Sequence, residues 1–373
     1  MKIAILTLPL HTNYGGILQA YALQTILERM GHNVEVIDKR RREKPYIPLS
    51  VKIKRFILKY ILLKNLPPLA EDVLYKRRKT ENKHTWKFAD KYINRREISS
   101  FNEIKEGEYD AIVVGSDQVW RPCYFVGNYN KPMQSAFLDF AKEWEIKRIS
   151  YAASLGSCDW EFNNEDTEKC KELIKKFNAV SVRERNGKEL LKDYLDYTEV
   201  IIMPDPTFLL KREDYINIFK KADTPKSQGN LLVYFIDETN DKNNLTKTIS
   251  EAKNLKPFIV NSRVEGYNGK ELYTQPSVES WLRGFYDAEF VITDSFHACI
   301  FSIIFNKEFI VYGNTKRGLE RFKSLLEQFG LEDRYIVNSS QLNIDNIYSS
   351  VKATESIEAL RITGMTFLTD NLS

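Results

Sequence analysis

A short apolar strand-like run that ends in polar residues, followed at once by an apolar helix-like run, is the feature of this sequence that most constrains its fold. The strand-like run covers 290–292, the polar turn 293–295 and the helix-like run 298–305. The pattern predicts a buried strand, a turn and a helix whose N-terminus is capped by Asp294 or Ser295. Repetition of this unit gives an open α/β sheet, and such sheets bind ligands at the carboxyl ends of their strands.

His297 lies in the first turn of this predicted helix, at the carboxyl end of the strand. An imidazole titrates near neutral pH, so His297 is a candidate for proton transfer to or from a ligand. A histidine that only packs beside a helix cap is the alternative that the sequence leaves open.

The same unit recurs along both halves of the 373-residue chain. Residues 2–8 predict a strand, 17–31 a helix and 34–38 a second strand. Gly15 and Gly16 in the first connection let a ligand approach the helix N-terminus, where free amide groups favour anions. A tight turn that needs positive φ explains the glycine pair equally well. The connection lacks the GxGxxG pattern, which argues against a nicotinamide or flavin cofactor.

Three more predicted strand ends carry ionisable side chains. Asp117 follows one strand, Arg183 closes another, and Asp205 stands between two prolines after a third. An arginine can hold a phosphate or carboxylate through two hydrogen bonds; a salt bridge to Glu184 is the alternative. The two aspartates suit ligand binding, but a helix cap and a plain chain crossing explain them as well.

A glycine-bounded loop after the strand predicted at 309–312 carries three cations, Lys316, Arg317 and Arg321. Because no aromatic residues interleave them, the loop favours an anion over a nucleic acid. A solvated helix start is the alternative.

Residues 39–65 form a basic stretch with ten Lys or Arg and one acid, Glu43. Its apolar residues fall on one helical face, which suits contact with an anionic membrane surface. Packing of that face on its own domain is the more common arrangement. The apolar face consists of Ile53, Phe56, Ile57, Tyr60 and Ile61.

Composition excludes several classes of function. The net charge of +4 arises from nearly balanced acids and bases, so no nucleic-acid partner is expected. The four cysteines have no CxxC spacing, which argues against a metal site and fits reduced thiols of a cytoplasmic protein. No apolar run approaches the roughly 18 residues of a spanning helix.

A polar segment with Pro and Gly at 211–229 is the best linker candidate and predicts two domains. The first covers 1–222 and includes a basic helical excursion at 39–105. The second covers 230–340. Residues 341–373 predict a C-terminal helix that could pack back on the first domain.

From its first strand to about residue 335, the chain resembles the polysaccharide pyruvyl transferase family. No single matching segment is specific, but six of them occur in the family's order. The segments are Asn13–Gln24, Gly115–Trp120, Ser181–Glu184, Asp205–Phe208, Thr293–His297 and Arg321–Leu326.

The resemblance implies two Rossmann-like domains with parallel sheets, similar to the two-domain (GT-B-like) glycosyltransferases, and an active site in the cleft between them. The first domain would bind the acceptor and the second the donor. The family transfers a pyruvyl group from phosphoenolpyruvate to two hydroxyls of a sugar, which gives a cyclic ketal. No cofactor is implied, since phosphoenolpyruvate is itself the donor substrate.

The resemblance also implies site residues. The family's catalytic histidine falls on His297, with Asp294 placed to bias its tautomer, and its anion-binding arginine falls on Arg183. Its cleft acids fall on Asp117 and Asp205. A basic residue of the late loop falls on Lys316, and further substrate contacts are expected from Asn13, Gly15, Gly16, Asp294 and Ser295.

Ser295 departs from the family pattern, because relatives often carry an arginine at that position, two residues before the histidine. Binding of a phosphate by Arg183 would then need help from Lys316, Arg317 or Arg321. Two other functions stay open. One is a glycosyltransferase that uses a nucleotide sugar, and the other is a non-catalytic sugar-binding subunit of glycan assembly.

The expected acceptor is a sugar of a bacterial-type surface polysaccharide, such as an exopolysaccharide or capsule, or of its lipid-linked precursor. The expected location is the cytoplasm, with peripheral contact at the inner face of the membrane through 39–65.

Overall fold

The computed structural model describes most of the chain, and those residues form two parallel sheets flanked by helices. The prediction of an α/β protein with two parallel sheets is confirmed. The described residues are 1–39, 49–61, 69–262, 273–313, 320–342 and 353–373.

The first sheet contains seven of the described strands. They are β1 Lys2–Leu6, β2 Asn33–Lys39, β3 Arg95–Ile98, β4 Ala111–Val114, β5 Lys147–Ala153, β6 Ala179–Val182 and β7 Val200–Ile202. Their order across the sheet is β3-β2-β1-β4-β5-β6-β7, and all pairs are parallel.

The second sheet contains five of the described strands. They are β8 Leu231–Tyr234, β9 Pro257–Phe258, β10 Phe290–Thr293, β11 Glu308–Tyr312 and β12 Tyr335–Ile336. Their order is β12-β11-β10-β8-β9, again with parallel pairs.

Helices cover the sheets and connect their strands. The described α-helices are α1 Tyr14–Arg29, α2 Leu49–Phe56, α3 Ala70–Glu81, α4 Lys83–Tyr92, α5 Pro122–Tyr129, α6 Asn164–Ile174, α7 Arg185–Leu195, α8 Arg212–Lys221, α9 Asn240–Lys253, α10 Val278–Asp287, α11 Phe296–Ile304, α12 Glu320–Glu327 and α13 Thr354–Leu372. A π-helical segment, Ile57–Ile61, continues α2.

The central strand β1 explains why the buried strands read as unbroken apolar runs. Ile3 and Ile5 face one hydrophobic core, whereas Ala4 and Leu6 face the core on the other side of the sheet. Helices cover both faces of such a strand, so every position is selected to be apolar.

The strand order places a crevice at the carboxyl edge of each sheet. β1 lies between β2 and β4, and β8 lies between β10 and β9, so the direction of the chain reverses at these strands. Ligands of open α/β sheets bind in the crevice at such a reversal. The polar turns after β1, β4 and β10 therefore lie where ligand binding is expected.

The segment predicted as a linker, 211–229, contains a helix in its first half, whereas 222–229 has neither helix nor strand. α8 occupies Arg212–Lys221, and its Tyr215, Ile218 and Phe219 are buried. These residues have helical spacing, which the polar composition of the segment conceals. The excursion predicted as helical at 39–105 also needs correction, because it returns to the sheet as the edge strand β3.

α1 and α10 join the two sheets. The Tyr14 ring stacks on Trp281 with 5.5 Å between centroids, and its hydroxyl donates a hydrogen bond to the Pro276 carbonyl at 2.8 Å. α13 crosses back to the first sheet, where Arg361 donates to the carbonyls of Leu209 and Leu210 at 3.1 Å each. These contacts bring the carboxyl edges of the two sheets face to face.

Candidate active site

A cleft of about 440 Å³ opens between the carboxyl edges of the two sheets. Asn13, Gly15 and Asp117 line it from the first sheet, and Ser295 and His297 line it from the second. Turns that are almost 300 residues apart in sequence therefore meet at one site.

His297 is buried in the cleft wall, with the backbone of α1 packed directly against its ring. A Cβ atom on Gly15 would lie 2.1 Å from both Cγ and Nδ1 of His297, closer than side chains approach one another. Neither Gly15 nor Gly16 has positive φ, so the tight-turn explanation of the pair is wrong. Gly15 instead allows close approach between the two halves of the cleft.

Asp205 is the carboxylate that faces His297. Its Oδ2 lies 3.5 Å from Nε2 of His297 and 2.6 Å from Nη1 of Arg183. The backbone N–H and hydroxyl of Thr207 donate to Oδ1 at 3.1 and 2.8 Å. Burial acts to raise the pKa of Asp205, but His297, Arg183 and Thr207 outweigh it and hold that pKa below its ordinary value. Asp205 is therefore an ionised, fixed partner for the imidazole.

Asp117 also lines the cleft, in a conformation that is uncommon for an aspartate. Its φ is +61°, in the left-handed region. Its Oδ1 lies 3.6 Å from Nη2 of Arg183, and Asn13 Nδ2 donates to its Oδ2 at 3.5 Å. The turn backbone is held by Ser154, whose N–H donates to the Asp117 carbonyl at 2.9 Å. These contacts leave the Asp117 carboxylate in the cleft wall.

Arg183 lies behind the cleft and does not line the main cavity. It borders a separate space of about 10 Å³. Burial opposes its charge, but Asp205, Asp117 and Glu184 raise its pKa above the ordinary value. Glu184, the salt-bridge partner considered from sequence, lies 3.9 Å away, whereas Asp205 is the close partner. Arg183 thus organises the two acids of the cleft.

Arg321 is the described cation from the late loop and helix that reaches the cleft. It lines both the main cavity and the space that Arg183 borders. The two guanidinium carbons lie 5.2 Å (Arg321) and 4.4 Å (Arg183) from the ring centre of Phe296. Burial, and then the charge of Arg183, lower the pKa of Arg321 to about 10. Arg321 remains cationic at neutral pH in surroundings that favour a bound anion.

Asp294 does not contact the imidazole, so its predicted role as the group that biases the His297 tautomer is wrong. Its carboxylate is buried, and Lys242 Nζ lies 2.6 Å from Oδ2. The backbone N–H groups of Ile236 and Asp237 donate to it at 2.7 and 3.2 Å. Asp294 therefore fixes the loop after β8, which forms part of the cleft wall.

Ser295 occupies the N-cap position of α11 and lines the cleft, but its side chain makes no capping hydrogen bond. Its backbone N–H donates to Thr293 Oγ1 at 3.0 Å. The other two cations predicted for the late loop, Lys316 and Arg317, lie outside the described residues.

Several residues of the cleft were not predicted from the sequence. Tyr124 and Asn128 of α5 line the cavity one helical turn apart, and His11 lies on the same wall. Lys242 does not line the cleft, but its ion pair with Asp294 was also not predicted. Spacing of four along a helix was the only signal for the α5 pair, and ordinary amphipathic helices share it. Within the described ranges, no group of three or more His, Cys, Asp or Glu is placed to hold a metal ion.

The overall fold is similar to that of solved structures. The UDP-GlcNAc 2-epimerase from Neisseria meningitidis, solved with UDP-GlcNAc, is 10% identical with a TM-score of 0.51, covering 100% of this chain and 99% of that one. The UDP-GlcNAc 2-epimerase from Methanocaldococcus jannaschii is 14% identical with a TM-score of 0.46, covering 97% and 93%. The fold is GT-B-like.

UGT89C1 of Arabidopsis thaliana, complexed with UDP-L-rhamnose, is 10% identical with a TM-score of 0.46, covering 97% of this chain and 94% of that one. Among curated proteins, no sequence matches this chain. The family model described as polysaccharide pyruvyl transferase matches residues 13–316, which is most of the sequence. The cleft residues Asn13, Asp117 and His297 lie within this range, and Arg321 lies just beyond it. The chain therefore belongs to the polysaccharide pyruvyl transferase family.

Proposed function

We propose that this protein transfers a pyruvyl group from phosphoenolpyruvate to two hydroxyls of one sugar and so forms a cyclic ketal. The observation that carries the proposal is His297 in the cleft wall, with Asp205 behind it and Arg321 lining the same cleft. The cleft thus combines a group that can move a proton with a cation for an anionic donor.

The donor carries a phosphate and a carboxylate, so it needs cations and free amide groups. Arg321 can bind one of these anions directly, because its guanidinium lines the cavity. The first residues of α11 also line the cavity, and the N-terminus of a helix favours negative charge. Arg321 takes the place of the family arginine that Ser295 replaces.

Pyruvyl transfer needs a proton at C3 of the enol while C2 becomes electrophilic. His297 is suited to deliver that proton, and Asp205 would stabilise the imidazolium and fix its orientation. The first sugar hydroxyl attacks C2 and loses its proton. The second hydroxyl then forms the other C–O bond as the C–O bond to phosphate breaks. Asp117, which also lines the cleft, would hold or deprotonate the sugar hydroxyls.

The acceptor in this proposal is a sugar of a bacterial-type surface polysaccharide or of its lipid-linked precursor. We place the reaction in the cytoplasm, at the inner face of the membrane. The α5 residues Tyr124 and Asn128 offer a ring and an amide on the acceptor side of the cleft, and such groups suit a sugar face and its hydroxyls.

The decisive experiment is phosphate release from phosphoenolpyruvate across galactose-, mannose- and glucosamine-type acceptors. We expect release that depends on one acceptor class, together with a product that carries one ketal-linked pyruvyl group by mass spectrometry. A melting temperature raised by nucleotide sugars and not by phosphoenolpyruvate would instead favour a glycosyltransferase. Acceptor binding without phosphate release would favour a sugar-binding subunit.

Replacement of Arg321 by glutamine is expected to weaken binding of phosphoenolpyruvate. Loss of a charge-assisted hydrogen bond should raise the KM for the donor by about 10- to 100-fold and leave the KM for the acceptor nearly unchanged. Steady-state kinetics with each substrate varied in turn measures both.

Arg334→Gln is the matched control, because Arg334 is also buried and lies 5.1 Å from the ring centre of Phe309, but it does not line the cleft. Equal effects of the two substitutions on the donor KM would contradict the assignment of Arg321.

A further inference from the structure

α2 and the π-helical segment that follows it present an apolar surface to solvent. Phe56 is 58% exposed, Tyr60 59% and Ile61 66%, and Leu49 and Ile53 are also exposed. The Phe56 and Tyr60 rings lie 4.9 Å apart, so the two rings form one exposed aromatic patch. Packing of this face on its own domain, the more common arrangement, is therefore not seen in the described part of the chain. Exposed apolar patches of this kind mark interaction sites.

The charge of the same segment is entirely positive. Residues 49–61 contain four Lys or Arg and no Asp or Glu. Lys54 and Lys59 are exposed, and Lys59 Nζ lies 5.2 Å from the centre of the Tyr60 ring. An apolar face bordered by cations is complementary to the apolar interior and anionic headgroups of a phospholipid bilayer. A protein partner would need an acidic rim around an apolar groove, which is a more specific requirement.

The position of the segment relative to the cleft supports the same partner. β2 ends at Lys39, at the carboxyl edge of the first sheet, and α2 lies on the connection that leaves this edge. Lys39 Nζ donates to the carbonyl of Asn128 at 2.6 Å, and Asn128 lines the cleft. The helical segment therefore belongs to a connection that starts beside the cleft mouth.

We propose that α2 and Ile57–Ile61 form a membrane-docking helix that lies flat on an anionic phospholipid bilayer. Its apolar side chains enter the interface, while Lys54 and Lys59 contact the phosphate groups. The docking is peripheral, because no helix in the described ranges is long and apolar enough to cross a bilayer. The bilayer would hold the cleft mouth near acceptors that carry a lipid.

The membrane contact thus involves a defined helix and anionic phospholipids, and it does not depend on pyruvyl transfer. Vesicle binding and ketal formation are measured separately. Failure of docking with soluble-acceptor activity intact would overturn only the docking helix. Docking without ketal formation would overturn only the proposed reaction.

The test is co-sedimentation of the full chain with vesicles of phosphatidylcholine alone or with about 30% phosphatidylglycerol, a fraction that gives a strongly anionic surface. We expect binding to the anionic vesicles that falls steeply with added salt. Lys54→Gln with Lys59→Gln should weaken it by about 30-fold, since each lysine near an anionic surface contributes about fivefold. Phe56→Ser with Tyr60→Ser should abolish binding at low and high salt.

Ile362→Ser is the matched control, because Ile362 on α13 is 59% exposed and lies outside the docking helix. It should bind vesicles like the wild type. Equal binding to neutral and anionic vesicles, or no binding to either, would overturn the proposal. A dimer that Phe56→Ser with Tyr60→Ser dissociates would also overturn it, because a second copy would then cover the surface.

Discussion

Substitution of His297 by glutamine should reduce acceptor-dependent phosphate release from phosphoenolpyruvate by about 10²- to 10⁴-fold, the range that a positioned general acid or base contributes. Glutamine fills similar space beside Gly15 and retains hydrogen-bonding groups, but it cannot donate and regain a proton near neutral pH. The loss should appear in kcat. Donor binding should persist, because Arg321 is unchanged, and a thermal shift with phosphoenolpyruvate measures it.

Two other histidines serve as comparisons for this substitution. His84→Gln, on α4 and outside the cleft wall, should leave phosphate release unchanged. His11 is the more stringent comparison, since it lines the same cavity and contacts Thr12 at 3.2 Å. If His11→Gln removed activity while His297→Gln preserved it, the proton would move through the other histidine and the proposed role of the His297–Asp205 pair would fail.

The meeting of polar residues from distant turns at one cleft was predictable, because it follows from the direction of the parallel strands. Parallel strands end at one edge of a sheet, so polar residues after apolar runs, such as Asp117 and His297, must gather there. Recognition that each run is a buried strand was enough to bring them together. The sheets themselves were predictable for the same reason, since strands covered on both faces leave unbroken apolar runs.

The contacts between individual side chains at the cleft were not predictable, because they depend on distances of a few ångströms between distant parts of the chain. Asp294 adjoins the histidine in sequence, yet it binds Lys242 on the neighbouring strand's helix, and Asp205 supplies the carboxylate. Likewise, Arg183 looked like a direct phosphate ligand, but two acids hold it behind the cleft. The position of a residue in the sequence shows that it lies at the edge of a sheet. It does not show which side chain it contacts there.

α8 shows a different limit. Its polar composition suggested a linker, but three buried residues at helical spacing are enough to dock a helix. The composition of a segment is an average over its exposed and buried faces. It therefore hides the narrow apolar stripe that determines how the helix packs. The exposed stripe of the docking helix has the same spacing, so periodicity alone does not distinguish a buried face from an exposed one.

Replacement of Gly15 by alanine is expected to lower kcat by about 100-fold, the effect of a displacement near 1 Å at a reacting group. The added methyl would lie 2.1 Å from the His297 ring and 2.6 Å from its Cβ, so the imidazole or the whole of α1 must move. Movement of the ring displaces Nε2 relative to Asp205, which lies 3.5 Å away, and movement of α1 displaces the cleft wall against the imidazole. The intrinsic helix propensity of alanine exceeds that of glycine by about 1 kcal/mol, so a general weakening of α1 would not explain the loss.

Gly187→Ala is the control for this substitution, because Gly187 lies in the first turn of α7, where a Cβ atom would have ordinary contact with Leu155 at 3.4 Å. It should retain wild-type kcat. The two variants are compared by kcat, by both KM values and by melting temperature. A folded Gly15→Ala protein with wild-type kcat would show that the reaction does not require His297 to lie against α1. A loss confined to kcat, with both KM values and the fold preserved, is what the contact between Gly15 and the imidazole predicts, because that contact sets the position of the proton-transfer group and binds neither substrate.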